Sequence, residues 1–188
     1  MRLRAIAVLC AVLLACPVYA AGVQKLPGLE APQEFTPEFL RESCYKYGAV
    51  NTVRLLTAPG STLWSELLGH IASGDVNWII YVPLFASGTD AGYATQLTIA
   101  LAEALPKNPH AVLSLEYSFL SLRNVCSLPF FNPDEAFIKR YTQDVFESMK
   151  DITDPYMQMD KDICMTRLKN ATHTAQKRLD SARQGSAK

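Results

Sequence analysis

The chain is expected to be all-α, a single-domain bundle of about six to seven helices held by one disulfide. Three observations predict this. Four prolines each follow a capping side chain, at Thr36-Pro37, Asn108-Pro109, Asn132-Pro133 and Asp154-Pro155. The first amides of a helix have no partner within it, so a side-chain oxygen satisfies one of them and a proline just inside loses nothing. Between these marks apolar residues recur at spacings of three and four. Finally, only Val76 to Val82 is dense enough in β-formers to pass for a strand, and its neighbours give it no partner strand.

The elements follow in order. A first helix covers about Pro37 to Gly48, with Glu38 in its first turn suiting the positive end of the helix dipole. A second starts at Ser61, carries Leu63, Trp64, Leu67, Leu68 and Ile71 on its apolar side, and ends at Gly74. Asp75 caps a third run through Trp78, Ile79 and Val82, which Pro83 should kink or shorten. Thr89 or Asp90 caps a fourth, Ala91 to Leu105, whose Ala94, Leu97, Leu101 and Ala104 make a stripe that lets a neighbour approach closely; Pro106 stops it. A fifth follows Asn108. A sixth runs from Pro133 to about Ile152, with Phe137, Ile138, Tyr141, Val145 and Met149 on one face. A seventh begins at Pro155 and carries Met159, Ile163, Cys164 and Leu168. Beyond it the stripe is mostly alanine, so residues 171–188 form a helical or frayed tail. The four runs within 61–115 are expected to stack as two helical hairpins, in a bundle rather than a solenoid because no sequence repeat is visible.

The first twenty residues set the compartment. Arg2 and Arg4 precede an unbroken apolar run, Ala5 to Ala15; Pro17 breaks it, and Val18-Tyr19-Ala20 ends in small residues. This is the pattern of a secretory signal peptide, too short for a membrane span. Two cleavage readings compete. One cuts after Ala20 and gives a soluble periplasmic product. The other treats Leu13-Leu14-Ala15-Cys16 as a lipobox and makes Cys16 a lipidated first residue. Leu14 and Pro17 suit the lipobox poorly, so the first is preferred. The short basic start and the lipobox-like option both point to a Gram-negative bacterium. The expected organisation is a signal peptide over 1–20, an extended segment over 21–35, a helical domain over 36–170 and the tail. Without Arg2 and Arg4 the chain has 16 basic and 18 acidic residues, and no basic stripe that would mark a nucleic-acid partner. No second long apolar run follows the leader.

An oxidising compartment favours cysteine pairing. Cys44, Cys126 and Cys164 follow the leader. Cys126 precedes Pro129 in a loop-like stretch and Cys164 lies on an apolar helical face, so these two are expected to pair. Cys44 is then the odd thiol, expected to be buried. Closing a loop of about 38 residues stabilises by on the order of 4 kcal/mol in the chain-entropy model.

No pattern specifies a reaction. His70, His110 and His173 have no metal-ligand spacing, and neither Gly-x-Ser-x-Gly nor Cys-x-x-Cys occurs. Gly88-Thr89-Asp90-Ala91-Gly92 lacks the P-loop lysine and reads as a helix stop followed by a cap. Asp151, Asp154, Asp160 and Asp162 do not fit a calcium loop, whose sixth position is glycine where this chain has Tyr156. No cofactor or metal is therefore expected. The aromatic stretch Tyr117, Phe119, Phe130 and Phe131 has two readings: a partner surface, or a cover for the open end of the core beside Cys126.

Gly74-Asp75, Trp78, Thr89 to Gly92, Ala104-Leu105-Pro106, Asn108-Pro109, Val112-Leu113 and Val125-Cys126 resemble a group of small secreted helical proteins of Gram-negative bacteria, over about Leu63 to Phe130. The resemblance implies a small periplasmic helical domain and supplies no catalytic residue. In architecture and compartment alone the chain is more distantly similar to the amidase immunity proteins of type VI secretion systems. The expected function is therefore non-catalytic binding in the periplasm, in its most concrete form as an immunity or inhibitor protein against a cell-wall-degrading toxin. The alternatives are a structural envelope protein anchored through Cys16, and an enzyme with His70 as its base in a pocket.

Overall fold

A computed structural model describes residues 31–32, 34–115 and 122–186. The expected leader with Cys16, and Tyr117 and Phe119 of the aromatic stretch, lie outside them. All regular structure among the described residues is helical. Helix α1 spans Pro37–Leu56, α2 Leu63–Ala72, α3 Val76–Ile79, α4 Val82–Phe85, α5 Ala91–Ala104, α6 Pro109–Leu113, α7 Leu122–Val125, α8 Glu135–Ser148 and α9 Gln158–Ser186. Three 3-10 turns, Ala86–Gly88, Met149–Asp151 and Pro155–Met157, join or extend them.

The caps explain most boundaries. Thr36 accepts from the Phe39 amide, Asp75 from Asn77, Asp90 from Tyr93, Asn108 from Ala111, and Asp154 from Tyr156. The fourth proline signal is displaced. Asn132 has φ 45°, a left-handed backbone that cannot serve as the extended residue before a helix. Asp134 takes that role and accepts from the Phe137 amide at 2.7 Å. The sixth predicted helix therefore starts at Glu135, and its last turn tightens into Met149–Asp151. The third predicted run divides into α3 and α4, with Pro83 in the first turn of α4. A single turn, α7, forms in the less periodic stretch after Leu115.

The first predicted helix does not end at Gly48; it breaks there and resumes to Leu56. Gly48 has φ 77° and ψ 165°, a region only glycine occupies without strain. The break exposes carbonyls, and side chains one turn on satisfy them. Asn51 Nδ2 donates to the Tyr47 carbonyl and the buried Thr52 hydroxyl donates to that of Gly48, both at 3.0 Å. Just past the break, the backbone of Ala49 and Val50 touches Gly88 so closely that a Cβ there would lie 2.4 Å from the Ala49 carbonyl carbon and oxygen. At Gly88 the glycine-rich stretch is thus filled by the chain itself.

Packing is mostly between elements that are not sequence neighbours. Helix α1 packs on α4 and the following 3-10 turn, and α2 packs on α5. Trp64 of α2 donates its indole N–H to Gln96 of α5 at 2.9 Å and meets Phe85 and Tyr93 edge-on. The carboxyl end of α2 is closed by the α5–α6 turn. Lys107 Nζ donates to the Ala72 carbonyl, and Asn108 Nδ2 donates to that of Gly74 while its oxygen caps α6. The sequential hairpin is α8 with α9, antiparallel: Glu135 at the start of α8 meets Gln176 and Arg183, and Lys161 near the start of α9 donates to the Ile152 carbonyl. Helix α9 runs unbroken for 29 residues, half-buried at Ala171, Thr172, Ala175 and Leu179. No described helix is long and apolar enough to cross a membrane.

Gly88→Ala should cost about 1–3 kcal/mol, because backbone rather than a flexible side chain occupies the space. Gly92→Ala, whose Cβ meets only Asp90 Oδ1 at 3.4 Å, should stay within about 0.5 kcal/mol. Urea unfolding followed by circular dichroism compares the two; equal midpoints would contradict the close approach.

Candidate binding groove

Cys126 and Cys164 form a disulfide, as their sequence setting predicts, with Cα atoms 5.1 Å apart. Both are buried, and the bond fastens the end of α7 to the second turn of α9. Among the described residues Cys44 is the free thiol, and it is buried. Burial pushes its pKa up, a rise opposed by a hydrogen bond with Thr52.

From Cys126 the chain returns to α8 through residues 127–134. The two non-glycine residues with positive φ among the described residues, Leu128 at 62° and Asn132 at 45°, both lie in this loop. Between them Phe130 is pinned inward, edge-on to Phe137 and to Tyr141, each at 4.8 Å between ring centroids. Phe131 points the other way and is 91% exposed. Phe130 thus covers the core, whereas Phe131 is presented to solvent.

Beneath the loop an open groove of about 1250 Å³ runs along one face of α9. Leu128, Phe131, Ile163, Ala171, Ala175 and Leu179 supply apolar lining, and Arg123, Arg167 and Arg178 supply charge against Asp162. No ion pair engages these three arginines among the described residues, whereas Arg183 pairs with Glu135 and Asp180. The sequence reading missed this cluster for want of a basic run. Its signal was spacing: Arg167 and Arg178 are eleven residues apart, three helical turns, so they share a face. A second, smaller cavity of about 620 Å³ lies on the other side of the α8–α9 pair, where the Thr142 and Thr172 hydroxyls meet at 2.9 Å.

Tyr141 secures the groove from below. Its hydroxyl donates to the Ala102 carbonyl of α5 at 3.0 Å. Burial, aided by the Glu103 carboxylate, holds its pKa well above the ordinary tyrosine value of 10. The remaining candidates lie elsewhere. His70 is stacked on Trp78, centroids 4.5 Å apart and planes within 9°, with Nε2 4.0 Å from a Glu66 carboxylate oxygen. It lines neither cavity. His110 and His173 are exposed. Asp154 is engaged in capping, and no group of three metal-ligating side chains converges among the described residues. Comparison with protein-family models, curated proteins and solved structures finds no match to this chain.

Three outcomes are expected. Replacing Cys126 and Cys164 together by serine should lower stability by on the order of 4 kcal/mol, read as a urea midpoint that no longer responds to reductant. Above about pH 10 an unfolded tyrosine loses the proton that folded Tyr141 keeps, so stability falls as pH rises; Cys44 adds to this decline with the same sign from slightly lower pH. Tyr141→Phe should cost about 1 kcal/mol at neutral pH and make the alkaline decline shallower. Urea titrations at about pH 7 and pH 11 measure both effects.

Proposed function

We propose that this chain is a non-catalytic periplasmic binding protein that receives a protein partner in the groove beneath Phe131. The observation that carries this reading is the exposure of Phe131 on a loop fastened by the disulfide at Cys126 and by the inward-turned Phe130 beside it. An exposed aromatic on a floppy segment has little value to an interface, because ordering it costs entropy on binding. Here the disulfide and the Phe130–Phe137–Tyr141 cluster have already ordered it. Burying such a side chain in a partner gains on the order of 2–3 kcal/mol. The left-handed backbone at Leu128 and Asn132 is of the kind that clusters at binding sites, and adds support. The leader pattern supports the compartment, and a small disulfide-fastened helical frame supports the reading as an immunity-like protein. The concrete form of the proposal is an inhibitor or immunity protein that covers the cleft of a cell-wall-degrading toxin.

Affinity capture of the tagged protein from its own periplasm is the test. A peptidoglycan-cleaving enzyme should be recovered, and Phe131→Asp should abolish its recovery while leaving the helical circular dichroism intact. Undiminished recovery by Phe131→Asp would remove the groove from the function.

A further inference from the structure

We propose that the occupant of the groove is an acidic amphipathic helix of the partner, laid along α9 with its carboxylates on Arg167 and Arg178. This rests on the reading of the groove as a binding surface. The two guanidinium-bearing positions share one face of α9 and are separated by about 16 Å along its axis. No single small anion spans that distance, so an occupant that engages both must carry anionic groups about three helical turns apart. A second helix offers that spacing along one of its own faces.

The surface between the arginines suits a helix rather than a generic polyanion. Ala171, Thr174 and Ala175 leave the middle of the stripe shallow, which permits interaxial distances of about 8–10 Å. Phe131 and Leu179 flank that stripe, and Ile163, 40% exposed, stands at its near end. Exposed Met159 stands one turn before Ile163 on α9 and extends the apolar line past the groove. Arg123 adds a third cation from α7, and Asp162 is the one carboxylate on the lining. The charge is uncommitted: among the described residues no ion pair engages Arg123, Arg167 or Arg178, although the next arginine along α9, Arg183, is paired.

The probe is a fluorescein-labelled helical peptide of about 20 residues, with a leucine and alanine face bordered by two glutamates eleven positions apart. Its anisotropy should rise on adding the protein, and binding should weaken with salt. Arg167→Glu with Arg178→Glu should weaken binding at least about tenfold, and a lysine version of the peptide should bind that variant in place of the original. Circular dichroism confirms that the variant is folded. Unchanged binding after charge reversal, or equal binding by a glutamate peptide without the apolar face, would overturn the assignment; the second result would indicate a general polyanion site. Capture of the periplasmic partner separates this proposal from the one beneath it. Loss with Phe131→Asp but not with the arginine pair overturns the acidic helix alone. Retention by both variants overturns the binding reading as well.

Discussion

The Cys126–Cys164 bond is the constraint on which the outer half of the molecule depends. The α1–α6 core is closed by its own packing, with α1 against α4 and α2 against α5. Helix α9 has a far poorer claim on that core. Its apolar side is spent by Leu168, and beyond it only partly buried small residues and Leu179 face inward. Covalent attachment near its start holds in place a helix that burial alone would secure weakly; the exposed pair of Arg183 with Glu135 near its end adds little. The groove exists because the same bond fixes one wall, the 127–134 loop, against the other.

Much of the fold was legible because its signals are local. Capping and proline chemistry operate within three or four residues, and five of the caps lie where spacing places them. The departures arose where a distant contact decided the outcome. Gly48 reads as a helix stop, but the helix resumes because Thr52 and Asn51 satisfy the freed carbonyls and Gly88 accepts the broken backbone at close range. Asn132-Pro133 has the form of a start signal, yet the loop's route from Cys126 puts Asn132 in the left-handed region and moves the cap to Asp134. Asn108 was legible as a cap; its second bond, to the Gly74 carbonyl 34 residues away, was not.

The groove was half legible. Phe130 and Phe131 were distinguishable as aromatics in irregular structure, but nothing in a dipeptide says which ring turns inward; Phe137 and Tyr141 decide that. The arginines escaped a search for runs of charge because a helix gathers residues eleven apart and the disulfide brings α7 alongside. The disulfide partners themselves were readable from the expected compartment and the sequence setting, and Cys44, buried in α1, is the free thiol among the described residues.

The bond also divides the chain topologically. It closes a covalent ring over residues 126 to 164, and that ring contains all of α8, the loop and Phe131. Exposed loops are the preferred points of proteolytic attack. A single cut anywhere in this ring opens it without releasing a fragment: both new ends stay tethered through sulfur. The most exposed aromatic in the groove therefore sits in the one part of the described chain where a nick need not separate the protein into two molecules.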